Sequence, residues 1–325
     1  MPRAFPMLPE PLSATAVLPF EKGFRLEKAD PDLPGVSIVI PVWNAGPFLE
    51  RTIRSLLMND LAGCELILMD GGSTDMTMQV VEHYREHFTV VVSERDEGQS
   101  DAINKGMARA KKPILTWLNG DDLILPNRLK VVREAFRDRP GTKVVVGNAY
   151  LTELDLTPIH RFNYAPERLT FGKLLNYTMH HLVQPSVFFS REAWQACGPV
   201  KHELHYAMDA DLFLSMAGRF AFEHVPVDVA YSVYHSECKT LKKRAESLAE
   251  LALVQTMHGG FKEAEITLGQ LVALYNETKA RAEALEASAG AGNDVALLHR
   301  KLNAMARERR HARDALLSAS ADLPA

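Results

Sequence analysis

Between residues 36 and 147 the chain switches back and forth between two hydrophobic periods, and that alternation limits its possible folds more than any other feature. Val36-Ser37-Ile38-Val39-Ile40-Pro41-Val42 is a β-branched run of strand length. Glu65 to Asp70, Phe88 to Ser93, Ile114 to Leu118 and Lys143 to Gly147 read the same way. Helical patterns separate them. Pro47 opens one with Phe48, Ile53, Leu56 and Leu57 on one face. Ser73-Thr74-Asp75 caps a second that runs to about Glu86. Gly98 to Ala110 places Ile103 and Met107 in the core, and Asn127 to Arg137 forms a fourth helix. This βαβαβαβ order predicts an α/β fold, a doubly wound, mostly parallel sheet flanked by helices. Ligands of such sheets bind outside the carboxyl ends of the strands.

The flanks differ from this middle. Residues 1–35 carry prolines at 2, 6, 9, 11, 19, 31 and 34 without a clear period, as an extended arm would. The alternating region runs over 36–240, split near 149–150 into a half rich in strand-end motifs and a second half. Residues 241–325 read as a helical extension. Phe261, Ala264, Leu268, Leu271 and Tyr275 follow helical spacing, and Gly290-Ala291-Gly292 breaks the chain. Val295, Leu298, Leu302, Met305, Arg309, Ala312 and Leu316 then form a heptad that needs a cover, either this chain or a second copy in a homo-oligomer. Arg307, Arg309, Arg310, His311 and Arg313 make a basic face, solvated or resting on anionic lipid as a peripheral membrane contact.

A net charge of −4 argues against bulk electrostatic binding of nucleic acid. The cysteines, at 64, 197 and 238, have no metal-ligand spacing and suit a reducing compartment. No run of about 18 apolar residues is present, and the start lacks a basic, then apolar, leader pattern. The expectation is a cytoplasmic protein.

Polar clusters sit at the strand ends. Asn119-Gly120-Asp121-Asp122 follows the fourth strand, and adjacent carboxylates repel unless a cation or a donor lies between them. Mg²⁺ or Mn²⁺ holding a diphosphate fits, because these ions take carboxylate and phosphate oxygens. An acidic turn is the plainer alternative. Pro41 and Asn44 end the first strand, Asp70 to Asp75 the second, and Glu94, Asp96 and Asp101 follow the third. Four such clusters on one rim favour a convergent site.

Ile40-Pro41-Val42-Trp43-Asn44, Asp70-Gly71-Gly72-Ser73-Thr74-Asp75, Asp101 to Gly106 and Leu118 to Asp122, in this order and spacing, resemble glycosyltransferase family 2. The resemblance spans about residues 36–240 and implies the GT-A fold. It implies an inverting enzyme that moves a sugar from a nucleotide-sugar, UDP-linked, to a hydroxyl acceptor in polysaccharide, lipid-linked oligosaccharide or glycoconjugate synthesis. By position, Pro41 and Asn44 would line the nucleotide pocket and Asp70 would bond the uracil or ribose. Asp101 and Asn104 would face the nucleotide or its sugar. The family's Asp-any-Asp signature begins here with Asn119, which supplies no charge. Asp122 is then the favoured metal ligand, with Asp121 as the ribose partner or as support behind the ligand, and the two roles are exchangeable.

Further on, Gln184-Pro185-Ser186-Val187-Phe188-Phe189 resembles the acceptor-side segment of the family. Asp209 opens a helix with Leu212, Phe213 and Met216 inward, and either caps it or, as the resemblance implies, serves as the general base. Asp211 is the second choice for that base. His235 would reach the metal or the diphosphate, and Lys239 would offset phosphate charge. Two other functions compete. A sugar nucleotidyltransferase would carry a Gly-rich basic loop near its first strand, and Pro41 to Gly46 lacks one. A non-catalytic binding or scaffold protein would not need Asp121, Asp122 and Asp209 intact.

Overall fold

The computed structural model describes residues 8–236, 238–288 and 300–304. The chain forms two compact units: Met1–Thr170, Leu182–His202 and Ser215–His235 make the first, and Phe171–His181, Glu203–Leu214 and Ser236–Ala325 the second. In chain order the elements are β1 (Val36–Val42), α1 (Gly46–Leu57), β2 (Glu65–Asp70), α2 (Thr77–His83), β3 (Val90–Ser93), α3 (Gln99–Arg109), β4 (Ile114–Trp117), β5 (Leu123–Ile124), α4 (Arg128–Asp138), β6 (Val144–Thr152) and β7 (Pro158–Phe162). There follow α5 (Phe171–Leu174), α6 (Tyr177–His180), β8 (Val187–Ser190), α7 (Arg191–Cys197), α8 (Met208–Ala217), β9 (Phe222–Val233), α9 (Lys239–Lys242), α10 (Arg244–Met257) and α11 (Phe261–Ser288).

The first unit holds one sheet, in the order β3-β2-β1-β4-β8-β6-β9-β5, with β7 beside β6. β3, β2, β1 and β4 are parallel, as the alternation of periods predicts. The sequence order reverses at β1, which has β2 on one side and β4 on the other. That reversal is the switch point where open α/β sheets bind ligands. Beyond β4 the expected series does not continue. The strand that begins near residue 143 lies one place further out, and β8, from later in the chain, pairs antiparallel with both β4 and β6. Strand pairing is non-local, so the periodicity of 143–147 carries no record of it.

Most of the strand residues are buried, Ile38, Val39 and Ile40 completely. On α1 Ile53 and Leu56 are buried as the pattern predicts, joined by Leu49, while Phe48 and Leu57 are only half-buried. α2 ends at His83 rather than near Glu86, and the chain tightens into a 3-10 turn at Arg85–His87. α3 lies so close to β1 that a Cβ added at Gly106 would stand 2.4 Å from Val39 Cγ1.

The arm is clamped rather than merely extended. Arg54 forms a two-pronged ion pair with Glu21 and donates to the Pro9 carbonyl. Glu50 accepts from the Leu12 and Ser13 amides and the Tyr84 hydroxyl, and Arg133 donates to the carbonyls of Leu33 and Pro34.

The second unit is helical. α10 and α11 pack on each other, and Thr267 Oγ1 donates to Gln255 Oε1 at 2.7 Å. The buried positions of α11 are Ala264, Thr267, Leu271 and Ala282, whereas Phe261 is exposed, contrary to the expected stripe. Of the heptad only 300–304 is described, with Leu302 buried. The Gly290–Gly292 break and the basic cluster at 307–313 lie outside the described residues. No helix among the described residues is long and apolar enough to cross a membrane.

Candidate active site

The register of the parallel strands brings the predicted clusters level. Val42 pairs with Asp70, and Asp70 pairs with Ser93. Leu118 N–H donates to the Val39 carbonyl at 2.8 Å, which carries the turn after β4 onto the same rim.

Asp70 is buried, and its carboxylate is fully used. It accepts from the Ser73 amide at 3.1 Å, the Ser73 hydroxyl at 2.5 Å and the Ser93 hydroxyl at 2.6 Å. Ser73 Oγ in turn accepts from the Asn44 amide at 2.7 Å, and Asn44 Oδ1 accepts from the Thr74 amide at 2.9 Å. Asn44 sits at φ 50°, a left-handed backbone that Asn tolerates better than other residues with a Cβ. The neighbouring Trp43 is 69% exposed. Asp75 Oδ2 accepts from the Gly46 amide at the start of α1 at 3.0 Å, and its Oδ1 accepts from the Thr77 amide and hydroxyl. These carboxylates therefore knit the ends of β1 and β2 into one fixed loop pair.

The turn after β4 holds a second network. Asp122 is buried, and its Oδ1 accepts from the Val233 amide of β9 at 3.1 Å. Its Oδ2 accepts from Asn119 Nδ2 at 3.1 Å, while Gln99 Nε2 donates to Asn119 Oδ1 at 2.8 Å. Burial, and next the charge of Asp121, push the Asp122 pKa up to about 8, against the donors from Val233, Asn119 and Ser232. An amide at 119 thus supplies the donor that a third carboxylate could not. Asp121 is partly exposed, and its Oδ2 lies 3.0 Å from His235 Nε2. His235 is buried and stacks on Phe48, centroids 4.2 Å apart and planes at 25°. That stack explains why Phe48 is only half-buried: it serves the rim rather than the core.

Other predicted residues are placed as follows. Asp101 pairs with Lys105 at 2.8 Å and accepts from the Glu97 amide, and its pKa is lowered by these partners against the effect of burial. Asn104 exchanges hydrogen bonds with the Val200 backbone at 2.8 and 3.1 Å. Gln184 Nε2 donates to the Trp117 carbonyl at 2.8 Å, and its buried Oε1 has no hydrogen-bond partner among the described residues.

In the second unit, Asp209 is half-buried at the start of α8, and burial pushes its pKa up to about 6, with the charge of Glu250 adding to the rise. Its Oδ1 accepts from the adjacent Ala210 amide at 2.8 Å. The bend that leads into α8 is held by Glu250, which accepts from the amides of His205, Tyr206 and Ala207 at 2.9, 2.7 and 3.1 Å. Asp211 is buried against His258, Oδ1 to Nε2 3.0 Å. Lys239 lies 5.2 Å above the Tyr206 ring. Sequence reasoning missed Phe48, Ser73, Ser93, Gln99 and Glu250. Of these only Ser73 carries a local signal, since it lies within the Asp70–Asp75 cluster, where its sequence role is that of a helix cap.

Residues 37–198 match the family model for glycosyl transferase family 2. The chain belongs to glycosyltransferase family 2. It is similar to Bacillus subtilis TuaG, which carries the name of a teichuronic acid biosynthesis glycosyltransferase, at 31% identity over 149 residues, 45% of this chain and 59% of the relative. It is 25% identical to Escherichia coli chondroitin synthase over 228 residues, 65% of this chain and 30% of that protein. The chain thus spans 59% and 30% of these two relatives. Among solved structures, residues 1–349 of S. aureus TarS superpose with a TM-score of 0.55 at 18% identity, covering 69% of this chain and 65% of that one. TarS has also been solved in complex with UDP and with UDP-GlcNAc. These likenesses identify the fold of this family 2 chain as GT-A.

Proposed function

We propose that the chain transfers a sugar from a nucleoside diphosphate sugar, UDP-linked, to a hydroxyl acceptor in polysaccharide or lipid-linked oligosaccharide synthesis, with inversion at the anomeric carbon. The observation that carries the reading is the Asp121–His235 pair, with Asp121 partly exposed and His235 buried, set beside the buried Asp122 at the carboxyl end of β4. The Asp121 carboxylate oxygen and the His235 imidazole nitrogen, 3.0 Å apart, would hold Mn²⁺ or Mg²⁺, the carboxylate suiting either ion and the imidazole favouring Mn²⁺ of the two. Both Asp122 oxygens accept hydrogen bonds, which supports the exchanged assignment, with Asp121 and His235 as the residues that would hold the cation and Asp122 fixing the turn behind them. When bound there, a divalent cation would supply positive charge to offset that of the departing diphosphate.

The remaining roles fall to this chain's own side chains. Pro41, Asn44 and Asp70 shape the nucleoside end, Asp70 by locking the Ser73 loop. Asp101 and Asn104 hold the α3 wall of the nucleotide-sugar site through Lys105 and Val200, and Asn119 orients Asp122. Lys239 offsets phosphate charge, and the unsatisfied Gln184 Oε1 offers an acceptor atom to a substrate hydroxyl. Asp209 takes the proton from the acceptor hydroxyl as it attacks, since a pKa of about 6 leaves it ionised at neutral pH but more basic than an ordinary carboxylate. Asp211 is the poorer base because His258 already engages it. UDP, as in the TarS complexes, is the first nucleotide to try.

A thermal-shift screen of UDP-sugars with and without Mn²⁺ tests this reading, because a ligand bound only by the native state raises apparent stability. Stabilisation that needs both components, with release of UDP rather than inorganic diphosphate, is expected. Diphosphate release would point to nucleotidyl transfer, and no shift with any UDP-sugar would overturn the donor class.

A further inference from the structure

We propose that Glu250, on helix α10, is a positioning residue for the transfer reaction: it fixes the start of α8 and thereby the place of the Asp209 carboxylate. This inference rests on the reading of Asp209 as the base. It also gives the C-terminal helices, which lie outside the segment matched by the family model, a part in the chemistry.

The geometry is that of a clamp. The first residues of an α-helix leave their amide N–H groups without helical partners. Here the first helical bond runs from the Asp211 amide to the Ala207 carbonyl at 3.0 Å, and the N–H groups of His205, Tyr206 and Ala207 lie in the bend that leads into α8, ahead of any helical acceptor. A single carboxylate, reaching back from 43 to 45 positions later in the chain, takes all three. Oε2 accepts from His205, Tyr206 and Ala207, and Oε1 also lies 2.9 Å from the His205 amide. Charge-assisted bonds of this kind are the stronger sort, and negative charge is favoured at a helix start.

The C-terminal end of α10 makes a second contact with the same segment, because its C-cap residue His258 bonds Asp211. Asp209 stands between the two contact points. Other charged groups near this start are Lys239, over the Tyr206 ring, and the exposed His205. The negative charge of Glu250 also supports the upward shift of the Asp209 pKa, second to burial among the causes that raise it.

Two variants of the full chain separate the parts of this role. Glu250→Gln keeps a neutral acceptor oxygen and the side-chain length. Glu250→Ala removes the clamp. With Mn²⁺ and UDP-GlcNAc as the probe, UDP release is read against pH, together with KM and with hydrogen exchange of the His205, Tyr206 and Ala207 amides. Glu250→Ala is expected to lower turnover about tenfold or more, as small misplacements of catalytic groups do. KM should stay within about twofold when donor binding is untouched. Exchange at the three amides should speed up, and in Glu250→Gln the acid limb of the rate profile should move to lower pH.

Wild-type exchange at 205–207 in Glu250→Ala would overturn the clamp. Turnover and donor affinity falling together in Glu250→Gln, with an unmoved acid limb, would show a general structural role and overturn the positioning claim. Asp209→Asn is the separate control. Full turnover in that variant would remove the base assignment and with it the catalytic half of the proposal, while the exchange data would still decide whether Glu250 holds the helix start.

Discussion

Replacing Asp122 by Asn should raise stability relative to wild type progressively as pH climbs from about 4 to about 8, from slightly below wild type to above it, in the absence of divalent cations. Asp122 is 4% exposed, and burial together with the neighbouring Asp121 raises its folded-state pKa to about 8. An unfolded Asp titrates near 3.9, so between these two values the unfolded chain has lost a proton that the folded chain keeps. Stability of the wild type therefore falls with rising pH in this window, by up to about 1.4 kcal/mol per pH unit from this group. The fall ends once the folded-state carboxyl has also ionised. Asn has no such slope. It keeps an acceptor for the Val233 amide but turns an NH₂ toward Asn119 Nδ2, which should cost about 1 kcal/mol at every pH. The difference between variant and wild type, measured by urea melts from pH 4 to 9, should start slightly negative and climb until about pH 8. A difference that stays flat across the window would refute the claim that Asp122 is held protonated by its surroundings.

Gly106→Ala should lower stability by about 1–3 kcal/mol by overpacking, since the new methyl would meet Val39 Cγ1 at 2.4 Å; an unchanged denaturation midpoint would refute it. Asp70→Ala should weaken UDP and UDP-sugar binding by a similar factor, because it frees the Ser73 loop beside Asn44; calorimetry that finds a loss confined to the sugar's share would place Asp70 elsewhere in the site. Asp209→Asn should cut turnover by about 10² to 10⁴ with UDP-sugar binding near wild type. Wild-type turnover should fall as pH drops through about 6, where Asp209 takes up its proton, and Asp211→Asn should lose much less; exchanged behaviour of the two variants would move the base to Asp211.

The local parts of this architecture were legible in the chain. β1 and β2 have the bounds their apolar runs predict, and α3 lies within one residue of its expected ends, because period and punctuation are local properties. The rim was legible too, since the strand-end motifs fall where parallel strands put them level. What escaped was non-local. The insertion of β8 between β4 and β6 depends on pairing that leaves no periodic trace. Which of Asp121 and Asp122 turns outward is decided by the Val233 amide, 111 positions away, which claims Asp122. Asp209 reads from sequence as a helix cap, and nothing local to it announces that Glu250, from a later helix, holds the bend just before it. Phe48 has the spacing of a core residue and spends its face on His235.

Crystals grown with UDP and MnCl₂ and measured at the manganese absorption edge test the central claim most directly. The account predicts an anomalous peak within coordination distance of an Asp121 carboxylate oxygen and His235 Nε2, with diphosphate oxygens on the same ion and Asp122 still bonded to the Val233 amide. UDP bound with its manganese away from Asp121 and His235, or a diphosphate held on that rim with no metal beside it, would contradict it.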